Sequence, residues 1–235
     1  MGLLPEKYVF ILRHQHATHI ARLHAGASGA SSALAVSAAQ DIQDLYNSAG
    51  GKITVNGASY TVKFEVRGHA LESKGITGEF RTAGKIFTNS DPRNNFFRVE
   101  NQTSSSGGES FSRRSGNDGM LNYSEISKRG STTEAHEIGH GLGLRHNNES
   151  DYSSLIKGKP DLMDNRNDRV QEKYRSKYAL PDGSLNLDKR EVSQKNIDDI
   201  FTPDVINSLE KNGKAAIGTT TNTYYAPNGQ GFNKK

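Results

Sequence analysis

Residues 136–146 read His-Glu-Ile-Gly-His-Gly-Leu-Gly-Leu-Arg-His. His136 and His140 stand four apart, so on a helix both project from one face and can grip a single ion. Gly143 can adopt a positive φ, which ends such a helix and turns the chain back. His146 can then approach the same ion from a loop. Three neutral imidazoles suit Zn²⁺, one ion per chain, and three protein ligands leave a fourth position for water. Glu137 lies outside that ligand set but beside its first member. It is placed to take a proton from a water whose pKa zinc lowers toward about 7. Zinc also polarises a carbonyl oxygen, so the chemistry expected is hydrolysis of an amide. A chain of this composition would carry such a pattern by chance on the order of 5 times in 100,000.

These eleven residues match the H-E-x-x-H-x-x-G-x-x-H consensus of the metzincin zinc metallopeptidases, which the chain resembles. The resemblance implies His136, His140 and His146 as zinc ligands and Glu137 as general base and then general acid. It also implies a methionine turn beneath the zinc. Met163, in Pro160-Asp-Leu-Met-Asp164, is the only methionine downstream of the motif and fits that place. The residue after the third histidine is Asn147, which matches none of the usual subfamily types, so the subfamily stays open. Position 165 is Asn, so a tyrosine fifth ligand two residues after Met163 is not implied.

The function expected is therefore a zinc-dependent endopeptidase acting on a peptide or protein. Two alternatives stand beside it. One is an inactive binding module of the same shape, against which the retention of Glu137 argues. The other is a zinc hydrolase acting on a non-peptide amide or ester. The lack of a recognisable signal peptide, the absence of cysteine and the weakly patterned region 68–125 are similar to bacterial effector or toxin modules of metzincin type at the end of larger secreted proteins. An inhibitor or immunity protein would then be a partner; otherwise the chain reads as cytoplasmic.

Composition narrows the field further. The 235 residues are 33% hydrophobic and 24% charged, enough apolar material for one sizeable core. No cysteine is present, which excludes disulfides, zinc-thiolate sites and thiol nucleophiles. The net charge is +4, with the basic residues dispersed rather than gathered into a stripe, so no nucleic-acid partner is expected. The longest apolar run, Tyr8 to Leu12, is far short of the roughly 18 residues of a membrane span, so no membrane role is expected.

The elements that must position the motif are partly readable. The fold class expected is α/β (α+β), and the resemblance implies a twisted mixed sheet with a long N-terminal helix, a zinc-site helix, a Met-turn and a C-terminal helix. Tyr8–Leu12 reads as a buried strand. Ser31 to Tyr46 reads as an amphipathic helix through Leu34, Ala38, Ile42 and Leu45, stopped by Gly50-Gly51. Lys52 to Arg67 alternates, with Asn56-Gly57 as a two-residue hairpin turn. Gly84–Thr88, Asn95–Glu100 and Met120–Ile126 are short strand candidates.

Ser131-Thr-Thr-Glu134 reads as a capping box that starts the zinc-site helix. Thr202-Pro203 opens a helix through Lys211, closed by Gly213. The peptidase domain is expected over 1–213, with 214–235 as a flexible polar tail, and removal of residues 219–235 is expected to change little. The segment between Gly107 and Tyr123 is the candidate sheet edge on which a substrate strand would add.

Three weaker signals remain. His14, His16, His19 and His24 read as a solvated polar linker rather than an accessory metal site. Asn117-Asp-Gly119 and Asp164-Asn-Arg-Asn-Asp168 have the composition of calcium loops without their spacing, and turn chemistry is the expected use.

Overall fold

A computed structural model describes residues 16–22, 31–72, 75–101, 109–147, 155–176, 185–225 and 230–233. In chain order these hold β1 (His16–Arg22), α1 (Ser32–Ser48), β2 (Lys52–Val55), β3 (Ala58–Thr61), β4 (Val66–Glu72), α2 (Gly75–Phe87) and β5 (Asn95–Glu100). Then follow β6 (Phe111–Ser112), β7 (Asp118–Asn122), α3 (Tyr123–Ile126), α4 (Thr133–Gly141), β8 (Leu155–Ile156) and β9 (Arg169–Val170). The last elements are α5 (Gln194–Ile200), α6 (Pro203–Asn212), β10 (Tyr224–Tyr225) and β11 (Gly231–Phe232). The protein is mixed α/β, as its patterning predicts.

The main sheet has the order β4-β1-β5-β7-β6. Its first four strands run parallel, and β6 closes one edge antiparallel to β7. Every residue of β5 and β7 is buried, the mark of strands covered on both faces. Asn95–Glu100 is the strand its sequence predicts. α1 starts at Ser31, whose hydroxyl accepts from the Leu34 N–H, and it buries Leu34, Ala35, Ala38, Ile42 and Tyr46. The Asn56-Gly57 turn has positive φ at both residues, as the tight hairpin between β2 and β3 requires. α6 carries the predicted Thr202 cap and Pro203 start, with Gly213 past its end. The core gathers residues of the main sheet, of α1, α4, α5 and α6 and of the β2–β3 hairpin, with Phe97, Val99, Leu121, Ile138, Met163 and Ile197 among its members.

Four expectations change. Gly84–Thr88 is not a strand but the end of α2, where Thr82, Ile86 and the half-buried Ala83 and Phe87 form one helical face. Its β-prone Ile86 and Phe87 mislead over five residues; the helical period shows only over the whole segment. Met120–Ile126 divides into β7 and the single turn α3. The polar-linker reading of the N-terminal histidines fails for His16 and His19, which fall within β1, paired to β4 on one side and β5 on the other. His14, His24 and the Tyr8–Leu12 strand lie outside the described residues.

The fourth change concerns 214–235, which is not a loose tail where it is described. Ile217, Thr223 and Tyr225 are buried. Thr221 N–H and Asn222 N–H donate to Asn117 Oδ1 at 2.9 and 3.1 Å, and Thr223 N–H donates to Asp118 Oδ2 at 2.8 Å. Arg98 Nη1 donates to the Tyr225 carbonyl at 2.8 Å. Asn117 and Asp118 thus spend their side chains on a strap across the sheet rather than on a turn of their own. Asp164 to Asp168 does behave as turn chemistry: Asp168 N–H donates to the Asn165 carbonyl at 3.0 Å, and Asn165 N–H to Asp168 Oδ2 at 2.7 Å.

Candidate metal centre

The helix that carries the first two histidines is α4, and its start differs from the predicted capping box. The N-cap is Thr132, with no side-chain cap, and Ser131 Oγ accepts from Thr133 N–H at 3.2 Å. Glu134 does not reach back to the cap. It is 1% exposed, close to Ser131, yet neither carboxylate oxygen meets hydrogen-bond geometry. Burial pushes its pKa up to about 8, and Asp41 and Asp188 add to the rise.

The other end is as its glycine predicts. Gly143 has φ 99°, its N–H donates to the His140 carbonyl, and Leu144 N–H donates to the Gly139 carbonyl, both at 2.9 Å. This double bond pattern closes the helix and reverses the chain. His146 is thereby carried back over the face that holds His136 and His140.

The three imidazoles converge. His146 Nε2 lies 3.1 Å from His136 Nε2 and 3.2 Å from His140 Nε2. Nitrogens held at 2.0–2.1 Å around one tetrahedral ion sit about 3.3–3.4 Å apart, so little movement separates this arrangement from a coordinated one. His136 Nδ1 is 2.7 Å from the Leu162 carbonyl and His140 Nδ1 is 3.0 Å from that of Leu144. A carbonyl partner places the hydrogen on Nδ1 and directs the Nε2 lone pair at the shared point. Burial, aided by Arg190 and the other two histidines, holds the His136 pKa well below its ordinary value, so this ring is neutral. The cluster can hold a metal ion.

Met163 is 1% exposed in a turn beneath α4. A side-chain carbon built on Gly139 would come within 2.9 Å of its sulfur, so the helix and the turn are in direct contact. Asp161 organises that turn. Its Oδ1 accepts from Met163 N–H and Asn196 Nδ2, both at 2.9 Å, and its Oδ2 from Ser193 Oγ at 2.6 Å. Asn147, whose identity fits no expected subfamily, has a structural use here. Its N–H donates to the Met163 carbonyl at 3.2 Å and its Nδ2 to Asp164 Oδ1 at 2.9 Å. The loop bearing His146 is thus bonded to the turn bearing Met163.

A cleft of about 250 Å³ opens over the histidines and includes Glu137 in its lining. Glu137 is 5% exposed, and its Oε2 has no hydrogen-bond partner among the described residues. Burial raises its pKa to about 7, opposed by the Ser112 hydroxyl and the Arg190 guanidinium. The predicted edge lies here: β6 falls inside Gly107–Tyr123 and lines the cleft. Ser112 Oγ donates to the Glu137 carbonyl at 2.7 Å and ties that edge to the helix.

Residues that no spacing announced complete the walls. Arg166 reaches from the side of the turn bearing Met163 to Glu109 at 3.3 Å and to Glu125, while Glu125 Oε2 accepts from Ser110 N–H at 3.0 Å. Arg190 lies at the base, 5% exposed. Each comes from a different loop or short helix, so only the fold gathers them. In comparisons with known proteins, the chain matches no family model and no curated protein.

Proposed function

We propose that this chain is a zinc-dependent endopeptidase of metzincin type. The observation that carries the reading is the carboxylate of Glu137, buried and unpartnered at Oε2, in the same cleft as three converging imidazoles. A buried carboxylate oxygen without a donor is unfavourable for stability alone, and its position is useful for moving a proton. Zinc held by His136, His140 and His146 would supply an acidified water and a polarised carbonyl.

Glu137 Oε2 would be the group that accepts the water's proton and later delivers it to the departing amine nitrogen. The substrate lies extended beside β6, the antiparallel edge strand, with the peptide to be cut over the histidines. The succession of long helix, parallel strands, histidine helix, methionine turn and C-terminal helix agrees with a metzincin-like fold.

The test is Glu137→Gln, which keeps size but cannot take the proton. Zinc stoichiometry is expected to stay near one per chain, while kcat on a protein substrate falls about 10²–10⁴-fold. A Gln variant that cleaves at the wild-type rate would refute the assignment of the base. Wild-type protein that takes up no zinc would refute the metal centre itself.

A further inference from the structure

The buried guanidinium of Arg190 is not used by the reading above. Its surroundings are specific. Nε lies 3.2 Å from Thr132 Oγ1 and 3.4 Å from the Leu187 carbonyl. Nη1 lies 2.7 Å from His136 Nδ1, 3.2 Å from the Leu162 carbonyl and 3.3 Å from that of Asp164. The side chain therefore joins the cap of α4, both sides of Met163 and the turn at Leu187, and lies against the first candidate ligand. Thr132 Oγ1 in turn donates to the Leu187 carbonyl, which closes the frame.

The oxygen acceptors are all uncharged, His136 Nδ1 is itself a donor to Leu162 and only lies beside Nη1, and among the described residues no carboxylate forms an ion pair with Arg190. Burial accordingly lowers its pKa to about 10. A cation taken out of water with carboxylates near it, Glu137 foremost, but none in an ion pair is a poor device for stability, and next to a metal centre its charge repels the ion. A geometric return must outweigh both. The Leu162 carbonyl is the key atom, because it is the acceptor that keeps hydrogen on His136 Nδ1. A carbonyl has two lone pairs, so it can accept from Nδ1–H and from Arg190 Nη1 together.

We propose that Arg190 is a positioning residue of the metal centre: its fork holds the Leu162 and Asp164 carbonyls and Thr132 in one frame, so that His136 presents Nε2 to the ion. The inference rests on the metal reading and deepens it. Lysine at this position preserves the charge, and with it the repulsion, but one ammonium cannot span the same acceptors. Arg190→Lys therefore isolates geometry from charge.

The experiment measures zinc affinity by competition with a chromophoric chelator, the visible spectrum after loading with Co²⁺, and the melting temperature of the metal-free protein. Arg190→Lys is expected to weaken zinc binding about 10–100-fold, the range for loss of a partner that orients a ligand, and to alter the cobalt spectrum. Thr132→Val, which removes one of the two Nε acceptors with little change of shape, is expected to shift both in the same direction by less. It supplies the answer if the Lys variant does not fold. Variants that melt like wild type, bind zinc as tightly or more tightly, and keep the cobalt spectrum would overturn the proposal. Wild-type protein that binds neither metal would instead overturn the metal centre on which it rests.

Discussion

Residues 131–164 and residues 214–225 are both polar, yet they differ in how their order is written. In the first, the donors that matter sit within a few residues of one another, and helix geometry alone brings His136 and His140 to one face. In the second, nothing repeats. Thr219, Thr221, Asn222 and Thr223 find their partners about a hundred residues back, at Ser115, Asn117 and Asp118. The segments also touch one another through Ser115, whose N–H donates to the His140 carbonyl at 2.7 Å while its own carbonyl accepts from Thr219 N–H at 2.8 Å. A low apolar content thus fails to mark disorder when buried acceptors elsewhere wait for backbone donors.

The strongest way to break this contrast is to delete 214–235. The deletion exposes Asn117 and Asp118 and removes the buried Ile217 and Tyr225. Loss of at least about 3 kcal/mol is expected from the apolar burial alone, or about 6–12 °C in melting temperature for a chain of this size. An unchanged melt would return the segment to the status of a loose tail. Asn117→Ala is the finer cut. It withdraws the acceptor of Thr221 and Asn222 N–H and the donor to the Asn94 carbonyl. About 1–3 kcal/mol should be lost, with zinc stoichiometry untouched, which chemical denaturation and metal analysis can check together.

Within the histidine segment, Glu134 sharpens the comparison from the other side, because here a local motif misleads. Its pKa of about 8 in the folded protein lies above its ordinary 4.5. A raised acid lends its full stability below the unfolded value, and that stability falls as pH rises through the folded value. Glu134→Gln is therefore expected to stabilise the metal-free protein by on the order of 2 kcal/mol at pH 8, a gap that closes below about pH 4.5. Melting curves across that range measure it; a gap that widened toward acid would mean that Glu134 is ionised and paired. The smallest effect is expected from Met163→Leu, a volume-conserving change under about 1.5 kcal/mol. Met163→Asp, which puts a charge at a site 1% exposed, should prevent folding or metal binding.

Legibility followed the range of the interactions. The strand Asn95–Glu100, the hairpin at Asn56-Gly57, the helix beginning at Ser31 and the helix from Pro203 were readable because a periodicity, a turn pair or a cap lies inside each segment. The strand β1 was not, since His-Ala-Thr-His-Ile-Ala-Arg has no run of β-formers and becomes a strand through its two neighbours. Gly84–Thr88 misleads because five residues carry too little of the 3.6-residue period of α2.

The sequence by itself determined the donor set: three histidines, one glutamate and the glycine that reverses the chain, all within eleven residues whose geometry is local. The tertiary structure alone decided what surrounds them. It brought Arg190 and the Leu162 carbonyl to His136, Asn147 to the Met163 turn, and β6 to the rim of the cleft. Helix periodicity constrains side chains a turn apart. Contacts between residues 26 or 54 positions apart depend on how whole elements pack, and no short-range pattern encodes them.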